Sequence, residues 1–265
     1  MSKSSSSREE LLAGGNVTNV YRSGHTVRRE VKPGSKNIHE LLKHLERKGY
    51  PYAPKFLGMD EKGREILSFI EGEAGHYPWK EYMHANEALH EIAKMLRLYH
   101  DSVSDFPFDD QWHSLDHTPG PREVICHNDF AMYNIIFHQQ VPIGIIDFDL
   151  AAPGPRLWDI AYTLYTCVPL SRFFLTESGE KIHYQPLLYA NQRKKRVAMF
   201  FESYGMEMKE GTLEMVLLRL EGLCKTIARK ASEGDAAFQK MVEEGHILHY
   251  EKDIAFIKEH KNEWI

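Results

Sequence analysis

The sequence has 265 residues, 42% hydrophobic and 11% aromatic. That is enough apolar material for one large domain or two lobes, and it excludes a disordered chain or a small cross-linked scaffold. Lys plus Arg number 33 against 38 Asp plus Glu, a net charge of −5, and no dense basic block is present to follow a phosphate backbone, so nucleic acid is not an expected partner. Mean hydropathy is −0.47, and no apolar run approaches the roughly 18 residues of a membrane helix. The Ser-rich start lacks the apolar stretch of a signal peptide, and the expectation is a cytoplasmic, monomeric protein without a membrane partner. Cys126, Cys167 and Cys224 are far apart and odd in number, which suggests buried thiols instead of a disulfide framework or a zinc site.

The charge is uneven. Residues 1–72 hold 13 Lys/Arg and 9 Asp/Glu, a balance of +4, which leaves 20 against 29, or −9, for residues 73–265. A basic front part suits an anionic ligand and an acidic remainder a cationic one, because each field concentrates its counter-charge.

In chain order, strand-like pieces come first at Leu11–Leu12, Asn19–Arg22 and Thr26–Val31, the last two joined by a turn at Ser23-Gly24-His25. Ile38, Leu41, Leu42 and Leu45 repeat at helical spacing, and Lys48-Gly49 before Pro51 ends that helix. Two more strands, Lys55–Met59 and Glu65–Ile70, flank the hairpin turn Asp60-Glu61-Lys62-Gly63. Glu71-Gly72-Glu73-Ala74-Gly75 then reads as a flexible joint. Beyond it, Leu89, Ile92, Ala93, Leu96, Tyr99, His100 and Val103 mark a long amphipathic helix. Short strands are expected at Val124–Cys126 and Ile143–Ile146, with Asn134–Phe137 pairing to the second. From Arg156 to the end the pattern reads as helical, interrupted by Pro169 and by Gly179, Gly205, Gly211 and Gly234.

The densest polar cluster is His127-Asn128-Asp129-Phe130-Ala131-Met132-Tyr133-Asn134, followed by Ile146-Asp147-Phe148-Asp149. An Asp and an Asn five apart in a loop, with an Asp at the end of an apolar strand, can converge on one site. Phosphoryl transfer needs such a set: a carboxylate to orient a hydroxyl and accept its proton, and hard oxygen ligands for Mg²⁺. The plain alternative for Asp129 and Asn134 is turn capping, which both residue types favour. Cys126 beside His127 does not make a thiol dyad, because neighbours on a strand point to opposite faces.

The string His127-x-Asp129-x-x-x-x-Asn134, with Ile146-Asp147 downstream, resembles the catalytic and metal loops of the aminoglycoside phosphotransferase family, small-molecule relatives of the protein kinases. Gly14-Gly15-Asn16-Val17-Thr18-Asn19-Val20-Tyr21 looks like that family's phosphate loop, and Trp158-Asp159-Ile160-Ala161 like its helix behind the active site. The resemblance implies an α+β, protein-kinase-like two-lobed fold. Residues 1–72 would form a five-stranded antiparallel nucleotide lobe with one helix, and residues 73–265 a larger, mainly helical lobe with the catalytic loop and acceptor site.

Carried over residue by residue, the resemblance makes Asp129 the catalytic base or hydroxyl-orienting group and Asn134 and Asp147 the metal ligands. His127 would support the loop through hydrogen bonds, and Asp159 would brace it by accepting backbone N–H bonds. Gly15 and Thr18 would meet the phosphates, and the backbone of Ser68 and Ile70 the adenine. Arg28-Arg29 stands where most relatives carry a lysine for the phosphates. Arg can bind oxyanions in a bidentate fork, and alternation along the strand selects Arg28 as the inward one. Its expected helix partner stays open: Glu40 points nearly opposite the buried face, while His39 and Glu46 flank it. Asp149, where protein kinases carry glycine, reads as a further metal or substrate contact or as a solvated strand-end carboxylate.

The function implied is ATP- and Mg²⁺-dependent transfer of the γ-phosphoryl group to a hydroxyl of a small molecule. Aminoglycosides lead the candidates, and a cationic acceptor would meet Asp149, Glu177 or Glu202. Whether ATP or GTP is preferred is open. A nucleotide-binding module with little turnover is the alternative, motivated by Arg28, Asn128 and Asp149. A metal hydrolase using His127, Asp129 and Asp147 is disfavoured for want of further ligands at a recognisable spacing.

Overall fold

The computed structural model describes residues 9–12 and 20–265. Glu10–Leu11 (β1), Tyr21–Ser23 (β2), Thr26–Glu30 (β3), Phe56–Met59 (β4) and Arg64–Ser68 (β5) form one antiparallel sheet in the order β1-β2-β3-β5-β4. The expected three strands, one helix and two strands are present with small shifts of their ends. Val27 pairs with Leu67 and Arg29 with Glu65, so these four side chains share the face that meets helix α1 (Ser35–Arg47). Leu41, Leu42 and Leu45 of α1 are fully or almost fully buried. The other side of this helix reaches into the second unit, where the His44 ring donates to the Ser102 carbonyl (2.9 Å) and Tyr50 to that of Met95 (3.3 Å).

The stretch after Ser68 is paired, not a free joint. Glu73–Ala74 (β6) joins Ile135–His138 (β8) and Val141–Ile145 (β9) in a three-stranded sheet. Its two glycines are there for close approach: a Cβ on Gly72 would lie 2.4 Å from the Phe137 carbonyl oxygen, and one on Gly75 2.3 Å from that of Met132.

The larger unit is mainly helical: a single turn α2 (Glu81–His84), then α3 (Asn86–Ser102), α4 (Arg156–Cys167), α5 (Pro186–Tyr204), α6 (Thr212–Ser232), α7 (Ala236–Glu243) and α8 (His246–His260). Helix α3 packs on α5, α4 on α6, and α6 on α8, around a core that includes Leu96, Trp158, Phe200 and Leu220. Val124–Cys126 (β7) pairs with Ala152–Gly154 (β10) at the edge of this core.

The expectation of unbroken helix after Arg156 is corrected by a hairpin, Phe173–Leu175 (β11) against Lys181–His183 (β12). Its turn is closed by Thr176 N–H to the Glu180 carbonyl (2.9 Å), with Gly179 at φ +83°. The signal was a Gly-bearing polar turn between two short β-prone runs. Among the described residues, no helix is long and apolar enough to cross a membrane. Cys126 and Cys167 are buried and free, and Cys224 is half-buried and free.

Candidate active site

The site is assembled by two loops and the N-terminal turn of α4. The first loop leaves β7 at Cys126, and its conformation is held from below by Asp159, which is fully buried. One Asp159 oxygen accepts the His127 N–H (2.7 Å) and the His100 ring N–H (3.1 Å), and the other accepts the Asn128 N–H (2.8 Å). Burial alone would raise the Asp159 carboxyl, but the His100 hydrogen bond and the loop donors outweigh it and hold it below the ordinary carboxylate range. His127 is buried, its ring against Phe148 (4.5 Å between centroids). Its Nδ1 accepts the Asp129 N–H (3.2 Å), and burial lowers its pKa to about 4, so it is a neutral buttress of the loop.

Asn128 and Arg219 extend that brace. Asn128 sits in the left-handed region (φ +63°) and donates to the Leu150 carbonyl (3.0 Å). The Asn128 carbonyl in turn accepts from Arg219, a buried α6 residue whose guanidinium lies 4.6 Å from the Tyr162 ring centroid.

Asp129 then projects into the cleft between two donors. Tyr133 donates to its Oδ1 and the Asn134 amide to its Oδ2 (2.8 Å), and the Tyr133 hydroxyl also meets that of Tyr162 (3.0 Å). Burial first, then the nearby Asp147 charge, push the Asp129 carboxyl up to about 7, against the pull of those two donors. A carboxylate poised near neutrality suits a proton acceptor.

Asn134 ends a 3₁₀ turn, and its carbonyl accepts the Ile146 N–H (3.0 Å). This contact draws the end of β9 against the loop and sets Asp147 beside Asn134. Asp147 adopts φ +65°, and half of its side chain is exposed (49%). Its recessed place in the cleft and the neighbouring Asp149 raise its pKa. Because the Asn134 amide nitrogen is committed to Asp129, its oxygen is the atom left for a ligand. An amide oxygen and a carboxylate are hard donors of the kind Mg²⁺ takes. Among the described residues no three His, Cys, Asp or Glu side chains converge as a ready-made metal cage, so an ion held here would complete its shell with water and phosphate oxygens. The donor set fits Mg²⁺ bound with a nucleotide.

The cationic side departs from expectation in two respects. The inward arginine on β3 is Arg29, not Arg28. Arg29 pairs with Glu65 and donates to Asp149 (2.6 Å), with Asp147 at 3.8 Å. Arg28 turns to the other face, toward Thr26 (3.0 Å) and Glu9 (4.0 Å). Val27 marks the inward face, and a period of two puts Arg29 there with it. The carboxylate partner comes from the sheet, not from the helix. Glu65 on β5 is 1% exposed, and its second oxygen meets His39 of α1 at 2.6 Å. The His39 ring is stacked on Phe56 (3.9 Å). Glu40 points outward and pairs with Lys43 (2.9 Å), and Glu46 pairs with Lys55 (3.0 Å).

Asp149 takes Lys32 at 2.7 Å as well as Arg29. Burial would raise its carboxyl, yet these two cations hold it below the usual range. The carboxylates expected to receive a cationic acceptor do not gather. Asp149 is occupied by its two cations, Glu177 lies in the turn of the β11–β12 hairpin and accepts the Glu81 N–H (3.1 Å), and Glu202 lines a different cavity with Phe201 and Met206. Of the expected adenine contacts, Ser68 has its N–H engaged by the Lys55 carbonyl (2.9 Å), and the Ile70 side chain lies over Gly144 of β9. Gly15 and Thr18 lie outside the described residues.

The model of the phosphotransferase enzyme family matches residues 105–186, the stretch that holds both loops and α4. The chain is 34% identical over 209 residues to the trifolitoxin immunity protein of Rhizobium leguminosarum bv. trifolii, covering 76% of each. Among solved structures it is similar to the aminoglycoside phosphotransferase APH(3'')-Id of Streptomyces rimosus in complex with ADP and streptomycin (TM-score 0.55, 14% identity, 82% of this chain and 92% of that one). It is also similar to the GDP complex of aminoglycoside 2'-phosphotransferase-IIIa (0.59, 14%, 94% and 92%) and to a choline/ethanolamine kinase family protein of Mesorhizobium loti (0.57, 15%, 96% and 94%). With the matched loops carrying Asp129, Asn134, Asp147 and Asp159 in one site, the chain belongs to the aminoglycoside phosphotransferase family and has its protein-kinase-like, two-lobed α+β fold.

Proposed function

We propose that this protein transfers the γ-phosphoryl group of a nucleoside triphosphate, ATP in the first instance, to a hydroxyl of a small molecule, with residues 1–72 holding the nucleotide and residues 73–265 the acceptor. One observation carries the reading: Asp129 is hydrogen-bonded to Asn134 and faces the Asp147 charge, on a loop pinned by a buried carboxylate. Neighbours crystallised with ADP or GDP support a nucleotide. A relative named for immunity to trifolitoxin and neighbours bound to streptomycin or kanamycin support an acceptor of the antibiotic class. The −9 balance of residues 73–265 favours an acceptor with net positive charge, through the field of the unit as a whole.

The chemistry is an in-line displacement. The acceptor oxygen forms a bond to the γ-phosphorus as the bond from that phosphorus to the β–γ bridging oxygen breaks, and the electron pair leaves with the nucleoside diphosphate. Asp129 orients the hydroxyl and takes its proton. Tyr133 and Asn134 hold the carboxylate in one rotamer, so little reorganisation accompanies the step. Asn134 and Asp147 would hold Mg²⁺, which when bound neutralises charge on the β- and γ-phosphates. Arg29 and Lys32, gathered on Asp149, are the cations available to phosphate oxygens; Glu65 and His39 fix the direction of Arg29.

The test is a screen of hydroxylated antibiotics and amino alcohols for consumption of ATP or GTP, with the phosphorylated product identified by mass. Tight Mg-nucleotide binding with no product across the panel, and no effect of Asp129→Asn on any measured property, would leave only the nucleotide-binding module.

A further inference from the structure

A cavity of about 290 Å³ opens where α4, the β11–β12 hairpin and α8 meet. Tyr77, Tyr165, Phe173, Phe174 and Leu175 line it, so its wall is largely rings and branched carbons. A chain of side-chain contacts joins its wall to Asp129. The Asp129 carboxylate is bonded to Tyr133, and the Tyr133 hydroxyl meets that of Tyr162. Tyr165, one helical turn further along α4, has its ring centroid 6.2 Å from that of Tyr162 and forms the cavity wall.

The rings are held in place. Tyr77 is stacked on the buried Trp79 (4.4 Å), and the Tyr165 hydroxyl donates to the buried Asp253 (2.6 Å). The charges around the cavity are already matched. Asp253, fully buried, also faces His249 (3.2 Å) and the Arg172 guanidinium (3.6 Å). The His249 Nδ1 accepts from Arg172 (3.2 Å). Arg172 and Lys181 lie 5.4 and 4.4 Å from the Phe173 ring centroid. Among the described residues no carboxylate lines the cavity, and these two cations lie against one of its rings, so an ammonium entering here would meet no counter-ion. A flat uncharged group would meet aromatic faces on several sides, in a volume at the lower end of small-ligand pockets.

We propose that this cavity is an acceptor subsite that takes an aromatic ring of the molecule to be phosphorylated, its Tyr165 wall being joined to the Asp129 site through Tyr162 and Tyr133. The inference rests on the phosphotransferase reading for the identity of the reaction, but the binding it describes can be measured without turnover. Any positive charge on the acceptor lies outside the cavity, in the acidic field of the larger unit.

The probe is 2-naphthalenemethanol, titrated into the full-length protein by calorimetry, with kanamycin as a polycationic competitor lacking an aromatic ring. The expected result is saturable binding weakened about tenfold or more by Phe173→Ala and largely retained in Phe173→Tyr, since ring stacking is the lost interaction. Leu175→Trp, which narrows the cavity, weakens binding about tenfold or more. Kanamycin does not displace the probe. Mg-ATP affinity, measured on the same variants, stays at the wild-type level and shows that they fold. Absence of probe binding, binding indifferent to both Phe173→Ala and Leu175→Trp, or displacement by kanamycin would overturn the subsite. Loss of Mg-ATP binding by the wild type would instead remove the phosphotransferase reading and leave the subsite result standing.

Discussion

Replacing Tyr133 by Phe removes one hydroxyl and tests the proposed tuning of Asp129. The carboxyl stands near 7 because burial and Asp147 push it up while hydrogen bonds from Tyr133 and Asn134 pull it down. A hydrogen bond to a charged acceptor contributes about 1.5–3 kcal/mol, which corresponds to about one to two pKa units. The Asp129 carboxyl of Tyr133→Phe should therefore titrate near 8–9, still under the influence of Asn134 (roughly, by the same conversion). Asp129 must be ionised to accept a proton, so the loss is pH-dependent. At pH 7 the ionised fraction falls from about half to a few per cent, roughly a tenfold loss in kcat/KM, and most of it returns by about pH 9.5. Two readouts check this: the pH profile of nucleotide hydrolysis, with water as acceptor, and ¹³C titration of the Asp129 carboxyl, which needs no turnover. An unmoved acid limb with a uniform loss at every pH would refute the argument and reduce Tyr133 to a packing residue. The stability linkage has the matching sign. Because the folded pKa is raised, the contribution of protonated Asp129 is whole below about 4 and is lost as pH rises through about 7, and Tyr133→Phe extends it to higher pH.

The two arginines of β3 should separate cleanly. Arg29→Ala leaves the buried Glu65 with His39 alone and should cost about 3–5 kcal/mol, a fall in Tm of roughly 2–4 °C per kcal/mol, together with weaker nucleotide binding; Arg28→Ala should stay within about 1 kcal/mol. Equal effects would mean that the inward assignment is wrong. Asp159→Asn keeps one acceptor oxygen where two were used and turns an NH₂ toward a loop donor, so it should destabilise by about 2–4 kcal/mol. Its lowered pKa puts that contribution above the ordinary carboxylate range, to be lost as pH falls, and an acid-melting series of wild type against variant checks the sign. Asp147→Asn should abolish the Mg²⁺-dependent part of nucleotide affinity in calorimetry. It should also lower the Asp129 titration below 7 by deleting a like charge; an Asp129 carboxyl that stays put would show that the two do not interact.

Much of this was legible along the chain because it depends on local order. The strand, helix and strand pattern of residues 10–68 follows from periodicity and turn residues. The loop from His127 to Asn134 with Asp147 thirteen residues later carries its chemistry in spacing, since a short loop and the strand hairpin after it leave little freedom in how those groups meet. Even the choice between Arg28 and Arg29 was within reach, because Val27 announces the inward face.

What pairs with that arginine was decided by the tertiary structure. Glu65 is a lone carboxylate in a strand, and only sheet pairing with β3 and the packing of α1 set it between Arg29 and His39. Likewise, Lys32 and Asp149, 117 residues apart, meet only when the sheet closes over the cleft. The aromatic cavity draws Tyr77, Tyr165, Phe173 and His249 from four separate stretches. Spacing can specify groups that a few bonds hold near one another. Contacts across the fold depend instead on how apolar faces pack and where charges must be neutralised once water has left, and neither is written at a single place in the chain.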